Sequence, residues 1–147
     1  MNKRIFAAMA VAGLLFAGCS SSSSDASSAA SGAGETSNTA YVESDGTEIS
    51  ATVTKKDGKV TAIQIDQTTE DGSSKKEKGA DYGMKSASGI GKEWNEQIEY
   101  LEQYMVDNGI DSVKLNSDGY AENEDVKSGC TINLSQIMEA VNEANSK

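Results

Sequence analysis

The chain of 147 residues carries 23 acidic against 13 basic side chains, a formal charge of −10 at neutral pH, and contains neither His nor Pro. Such an acidic composition does not supply the basic face that nucleic acid needs. The absence of His excludes Ser-His and Cys-His triads and the His-Cys zinc pattern, so self-sufficient hydrolysis is not expected.

Lys3 and Arg4 precede an unbroken run of small and apolar residues from Ile5 to Phe16, then Ala17-Gly18-Cys19. Twelve such residues suit the core of a signal peptide and fall short of the roughly 20 that a membrane-spanning helix requires. Residues 1–18 are therefore expected to be a signal peptide. Small residues directly before Cys19 resemble the processing box of bacterial lipoproteins, which implies a lipidated Cys19 as the first residue of the mature chain. Ordinary signal cleavage beside an incidental Cys is the competing reading. Acyl chains on Cys19 would hold the chain at the extracytoplasmic face of the cell membrane. Without Lys3 and Arg4 the basic residues fall from 13 to 11 against 23 acidic ones, a charge of −12. That charge repels anionic lipid, so membrane residence depends on the anchor. With Cys19 given to lipid, Cys130 has no partner for a disulfide.

Residues 20–40 hold nine Ser, five Ala and two Gly and no large apolar side chain, a composition that cannot build a core. Together with Cys19 they read as a tether over 19–40, with a reach of about 25 Å as a flexible coil. Residues 41–147 remain for one modest domain.

Within that domain Ile49, Ala51 and Val53 alternate before Lys56-Asp57-Gly58-Lys59, and Thr61, Ile63 and Ile65 alternate after it. Period two on both sides of Asp-Gly predicts a β-hairpin. A two-residue loop would pair Val53 with Ala62 and split the apolar residues between two faces. A three-residue loop pairs Val53 with Thr61, Ala51 with Ile63 and Ile49 with Ile65, which gathers them on one face and is the register expected. Residues 68–78 are polar and charged and read as an exposed connection. Ile90, Trp94, Ile98, Leu101 and Met105 then follow at steps of four, four, three and four, which predicts one stripe of a long helix over about 89–108. Ser88 is placed to cap it, and Asn108-Gly109 to end it with Gly109 left-handed and Ile110 in the accompanying apolar contact. Trp94 reads as a core residue by its spacing, with a ring-stacking role as the sharper alternative.

Val113 and Leu115 suggest a short strand, and Asn116 to Gly119 a turn. A last helix is expected from about 133. Asn133 followed by Gln136 forms a capping-box pattern, and Leu134, Ile137, Met138, Val141 and Ala144 recur at helical spacing. Thr131 thus stands just before a helix N-terminus, where free N–H groups and the helix dipole favour an anion, and Gly129 would let backbone approach a phosphate. Helix capping alone would equally account for Thr131 and Asn133. Cys130 reads as a small buried residue or, near a helix N-terminus, as a reactive thiol.

The stretch Asp125-Val-Lys-Ser128-Gly129-Cys130-Thr131 resembles the Asp-x-x-Ser/Thr-Gly-Ala-Thr motif of the FMN-binding domain family, with Cys130 in place of the usual Ala. The family includes flavin-carrying subunits of sodium-pumping and Rnf-type membrane oxidoreductases. The resemblance implies FMN joined by its phosphate to the Thr131 hydroxyl through a flavin transferase, with Asp125, Ser128, Gly129 and Cys130 shaping the turn. The Asp-Gly-Lys hairpin and the segment from Tyr82-Gly-Met-Lys-Ser-Ala-Ser to Gly91-Lys-Glu-Trp94 are similar to small lipoproteins of the same group. The chain lacks the His-x-Glu-Thr-Pro-Gly stretch common in better-characterised members.

The expected fold is α+β, a small and mainly antiparallel sheet with a long helix and a C-terminal helix. The function expected is a membrane-anchored, extracytoplasmic electron carrier holding FMN, with redox partners unnamed by the residues. The alternative is a cofactor-free binding or interaction lipoprotein that keeps the fold. Cys19→Ser is expected to release the domain into soluble fractions or to leave its signal uncleaved. Fractionation that finds Cys19→Ser protein still membrane-bound, with its signal removed, would overturn the lipid-anchor assignment.

Overall fold

The computed structural model describes residues 34–147. The expected signal peptide, Cys19 and the tether up to residue 33 lie outside the described residues. Strands β1 (Glu35–Ser44), β2 (Thr47–Lys56) and β3 (Lys59–Gln67) form one antiparallel sheet in that order. Helices α1 (Lys75–Lys78), α2 (Trp94–Asn108), α3 (Glu124–Lys127) and α4 (Ser135–Ser146) follow, with 3-10 turns at Gly79–Tyr82 and Ile110–Ser112. The fold is α+β. One face of the sheet takes α4 against β1 and β2, and α2 packs on β3.

Strand β1 begins six residues before the domain boundary expected at 41. An edge strand needs little apolar area, and Ala40, with no exposed surface, and half-buried Val42 are enough to seat it. Hydroxyl pairs Ser37–Thr54 and Thr39–Thr52, each at 2.8 Å, tie its other face to β2. The Ser and Thr that resembled a tether are here cross-strand partners.

The β2–β3 hairpin resolves the register differently from either sequence option. Asp57 and Gly58 have φ of 52° and 78°, the two-residue turn in which both central residues are left-handed. Lys55 pairs with Val60 but Thr54 pairs with Ala62, so an extra residue bulges at Thr61. The bulge shifts Val53 onto Ile63 and Ala51 onto Ile65, which restores a single apolar face. The face was predictable, whereas the loop length and the pairs were not. Asp45-Gly46 makes the same kind of turn between β1 and β2, with φ of 49° and 79°.

Both outer strands carry a side chain on an otherwise free backbone group. Glu102 accepts a bond from the Ile65 N–H on β3 at 2.6 Å and from Lys76 Nζ at 2.6 Å, while Lys147 Nζ donates to the Thr39 carbonyl on β1 at 2.9 Å. Burial raises the Glu102 carboxyl above its ordinary pKa, against the opposing pull of Lys76 and the Ile65 N–H. Such plugs discourage a further strand from pairing there.

Trp94, Ile98, Leu101 and Met105 are buried as the stripe predicted, and they pack with Val53, Ile63, Ile137 and Val141 in one core. Helix α2 starts at Trp94, not at 89. Gly91 takes φ of 64°, and the helix is capped by Glu93, whose N–H donates to Glu96 in a capping box. Ser88 bonds elsewhere. Gly109 ends α2 with φ 92° and ψ 149°, an extended positive-φ conformation open to glycine rather than the left-handed one expected, and Ile110 is buried behind it. The strand expected at 113–115 is a single bridge between Leu115 and Ala121 around the Asn116–Gly119 turn.

Gly58→Val should destabilise the domain by about 1–2 kcal/mol, because a β-branched residue resists a left-handed backbone. A side chain at Gly58 would meet nothing within 4 Å, so crowding would not contribute. Thermal unfolding measures this, and an unchanged Tm would argue against the turn.

Candidate functional site

The stretch from Asp125 to Thr131 is held by two residues of α2, Tyr100 and Gln97. Helix α3 is pinned by Val126, which has no exposed surface, and closes through Ser128, Gly129 and Cys130 N–H groups donating back to Glu124 and Val126 carbonyls. Asp125 is exposed, and its backbone carbonyl rather than its carboxylate makes the contacts. It accepts from Tyr100 Oη at 2.8 Å and from Ser128 Oγ at 2.7 Å.

Gly129 is not open to a ligand. A Cβ there would fall 2.1 Å from Tyr100 Cδ1, so glycine is required because the Tyr100 ring lies against this backbone. The phosphate approach expected at Gly129 is occupied by that ring. Lys92 Nζ stands 5.0 Å from the centre of the same ring on its own approach.

Cys130 has no exposed surface, and desolvation pushes its thiol up to about 11, further than the Ile132 N–H and the charge of Lys92 draw it down. It is a core residue and not an activated thiol.

Thr131 is half-buried. Its N–H donates to Gln97 Oε1 at 2.9 Å and its hydroxyl reaches the same oxygen at 3.3 Å. The other end of the amide donates to Ser88 Oγ at 3.1 Å and to the Lys92 carbonyl at 3.2 Å. Gln97 has no exposed surface, and its amide thus uses two acceptor and two donor positions inside the fold. Gln97 escaped the sequence reading. Its signal was present, a polar residue three after Trp94 and four before Leu101, on the stripe that otherwise turns to the core.

The capping box expected at Asn133 and Gln136 does not form. Asn133 Oδ1 accepts from the Ser135 N–H at 3.0 Å, while its Nδ2 donates to the Asp118 carbonyl at 2.7 Å. Gln136 turns to Ser44 Oγ. The helix begins at Ser135, two residues later than expected, because Asn133 serves a turn that ties α4 to the 116–119 loop. The Leu134 N–H donates to the Gly119 carbonyl at 2.8 Å in the same junction.

Directly after Thr131, Ile132 lines a cleft of about 270 Å³ together with Lys75, Tyr82, Met84, Trp94 and Gln136. Trp94 is 3% exposed, so it is chiefly a core residue. Lys75 Nζ lies 5.2 Å from the Tyr82 ring centre and 5.7 Å from that of Trp94, and donates to Gln67 Oε1 at 2.8 Å. Past Lys75 and Tyr82 a wider depression of about 480 Å³ carries Glu70 and Asp71. Among the described residues no cluster of His, Cys, Asp or Glu could hold a metal ion, and no helix is long and apolar enough to cross a membrane.

No family model and no curated protein matches the chain. A solution NMR structure of a protein from Clostridium thermocellum is similar to it with a TM-score of 0.50 and 20% identity, over 75% of this chain and 88% of that one. At this identity the likeness is one of fold.

Gln97→Leu keeps the volume but strands the Thr131 N–H and the Lys92 carbonyl, and should cost about 1–3 kcal/mol in chemical unfolding. A loss below about 0.5 kcal/mol would remove the amide from the central role given to it here. Cys130 should resist iodoacetamide at pH 8 in the folded chain, where burial both blocks access and disfavours the thiolate, and should react on unfolding. Rapid native alkylation would contradict its burial.

Proposed function

We propose that the chain is an electron-transfer module that carries FMN on the Thr131 hydroxyl and works at the extracytoplasmic face of the membrane, held there through Cys19. The observation that carries this reading is the placement of Thr131. The residue is half-buried, its hydroxyl is bonded to a saturated internal amide, and it stands one residue from a cleft with aromatic, aliphatic and cationic walls.

The residues present suit the cofactor. Tyr82, Met84 and Ile132 offer flat and apolar contact for a ring. Lys75 and the N-terminal turn of α4, which borders the cleft at Gln136 and Ile137, favour negative charge. Because Tyr100 covers Gly129, a phosphate would be met on the Thr131 to Asn133 side of the turn. Gln97 Oε1 accepts the Thr131 O–H, which orients the oxygen, and a base of the transferase would take the proton, since an amide oxygen is too weak a base to hold it. Bound FMN supplies the one- and two-electron redox chemistry, and the chain supplies attachment, orientation and a partly water-excluding wall. A flavin transferase and separate redox partners are then required.

One observation favours the cofactor-free binding lipoprotein as the second reading, namely that the Thr131 hydroxyl is already satisfied by Gln97. Substitution at Thr131 decides between them. On coexpression with a flavin transferase, wild type should gain the mass of an FMN moiety, and peptide mapping should place it on Thr131. Thr131→Ser should keep some attachment, and Thr131→Val should keep none while remaining folded. An unmodified wild type, or a Thr131→Val chain modified equally well, would sink the flavin reading and leave the binder.

A further inference from the structure

Lys75, Lys76 and Lys78 all lie on the four-residue helix α1, but they are not used alike. Lys76 pairs with Glu102 at 2.6 Å and Lys78 with Asp71 at 3.0 Å. Lys75 has no carboxylate within ion-pair distance among the described residues, in a chain with 23 acidic side chains. Its ammonium turns instead toward Tyr82 and Trp94, with Gln67 Oε1 taking one of its three donors. Aromatic faces attract a cation without neutralising it, so the positive charge persists at the cleft wall. Among the described residues it is the one charged side chain lining that cleft.

We infer that Lys75 is the specificity-determining residue of this cleft, selecting a flat aromatic ligand that bears negative charge over a neutral ligand of the same shape. The apolar walls at Met84, Ile132 and Ile137 take the ring, and the ammonium takes the charged edge. The acidic surface elsewhere would repel such a ligand, and Lys75 differs from the other lysines without an ion pair in standing on the wall of this cleft. The inference rests on the reading of this cleft as a ring site, but not on ester formation at Thr131.

The test uses the chain with Thr131→Val, so that no covalent flavin blocks the cleft. Trp94 is the single Trp of the chain, so its indole N–H gives one resonance that reports on the cleft wall. The probes are 2-naphthoate and 2-naphthamide, which share a ring and differ in charge. Naphthoate should bind about tenfold tighter or more, the scale of a charge-assisted hydrogen bond, and the preference should shrink as salt rises. Lys75→Met should abolish the preference while leaving the circular dichroism spectrum unchanged, and Lys75→Arg should retain most of it. If Lys75→Met fails to fold, Lys75→Gln takes its place.

Equal binding of the two probes, no binding of either, or a preference that survives Lys75→Met would overturn the inference. So would tighter binding of both probes to Lys75→Met, which would make the lysine a plug. A naphthoate preference together with a Thr131 that never accepts flavin would leave this inference standing and remove the proposed attachment.

Discussion

The junction between helix α2 and the 125–131 stretch depends on one buried amide. Gln97 has no exposed surface, and an unsatisfied amide there would cost as much as several good packing contacts gain. Its four bonds to Thr131, Ser88 and Lys92 therefore have to form together. They join the first turn of α2 to the loop just ahead of it and to the approach to α4, which is distant in sequence. A polar group that is fully satisfied specifies one arrangement more sharply than an apolar residue would, because an apolar contact tolerates sliding and a hydrogen bond does not.

Around that amide the rest of the candidate site is assembled by packing. Tyr100 lies on Gly129 and bonds the Asp125 carbonyl, so the turn is clamped on its other side. Asn133 and Leu134 fasten the start of α4 to the 116–119 loop. Thr131 is left between two fixed points with its hydroxyl oriented. The adjoining cleft takes part of its aromatic wall from core residue Trp94, so one side chain serves both the stability of α2 and the wall of the cleft.

The motif from Asp125 to Thr131 was visible in the sequence, but the physical work of its members was only partly so. Gly129 was assigned to phosphate approach, yet its lack of a Cβ accommodates Tyr100, which is 29 positions away. Cys130 was open between a buried and a reactive role, and only its surroundings decide that its thiol is desolvated. Lys75 sat in a charged run that read as solvated surface. Its separation from Lys76 and Lys78 comes from which carboxylates the fold brings near, and residue spacing carries no trace of that.

Local periodicity determined the elements whose burial is one-sided. The stripe of Trp94, Ile98, Leu101 and Met105, the alternation through β2 and β3, and the apolar positions of α4 each state which face turns inward, and hence the α+β class. What periodicity leaves free is settled by partners distant in the chain. The Thr61 bulge forms because the core requires Ile63 and Ile65 on its side while Asp57-Gly58 prefers a two-residue turn. Residues 35–40 become a strand because β2 offers an open edge and Ala40 fits beneath α4. The start of α4 shifts because Asn133 finds the Asp118 carbonyl. A sequence encodes local preference directly, but hydrogen-bond partners and close approaches exist only once the chain has folded, and these were decided by the tertiary structure.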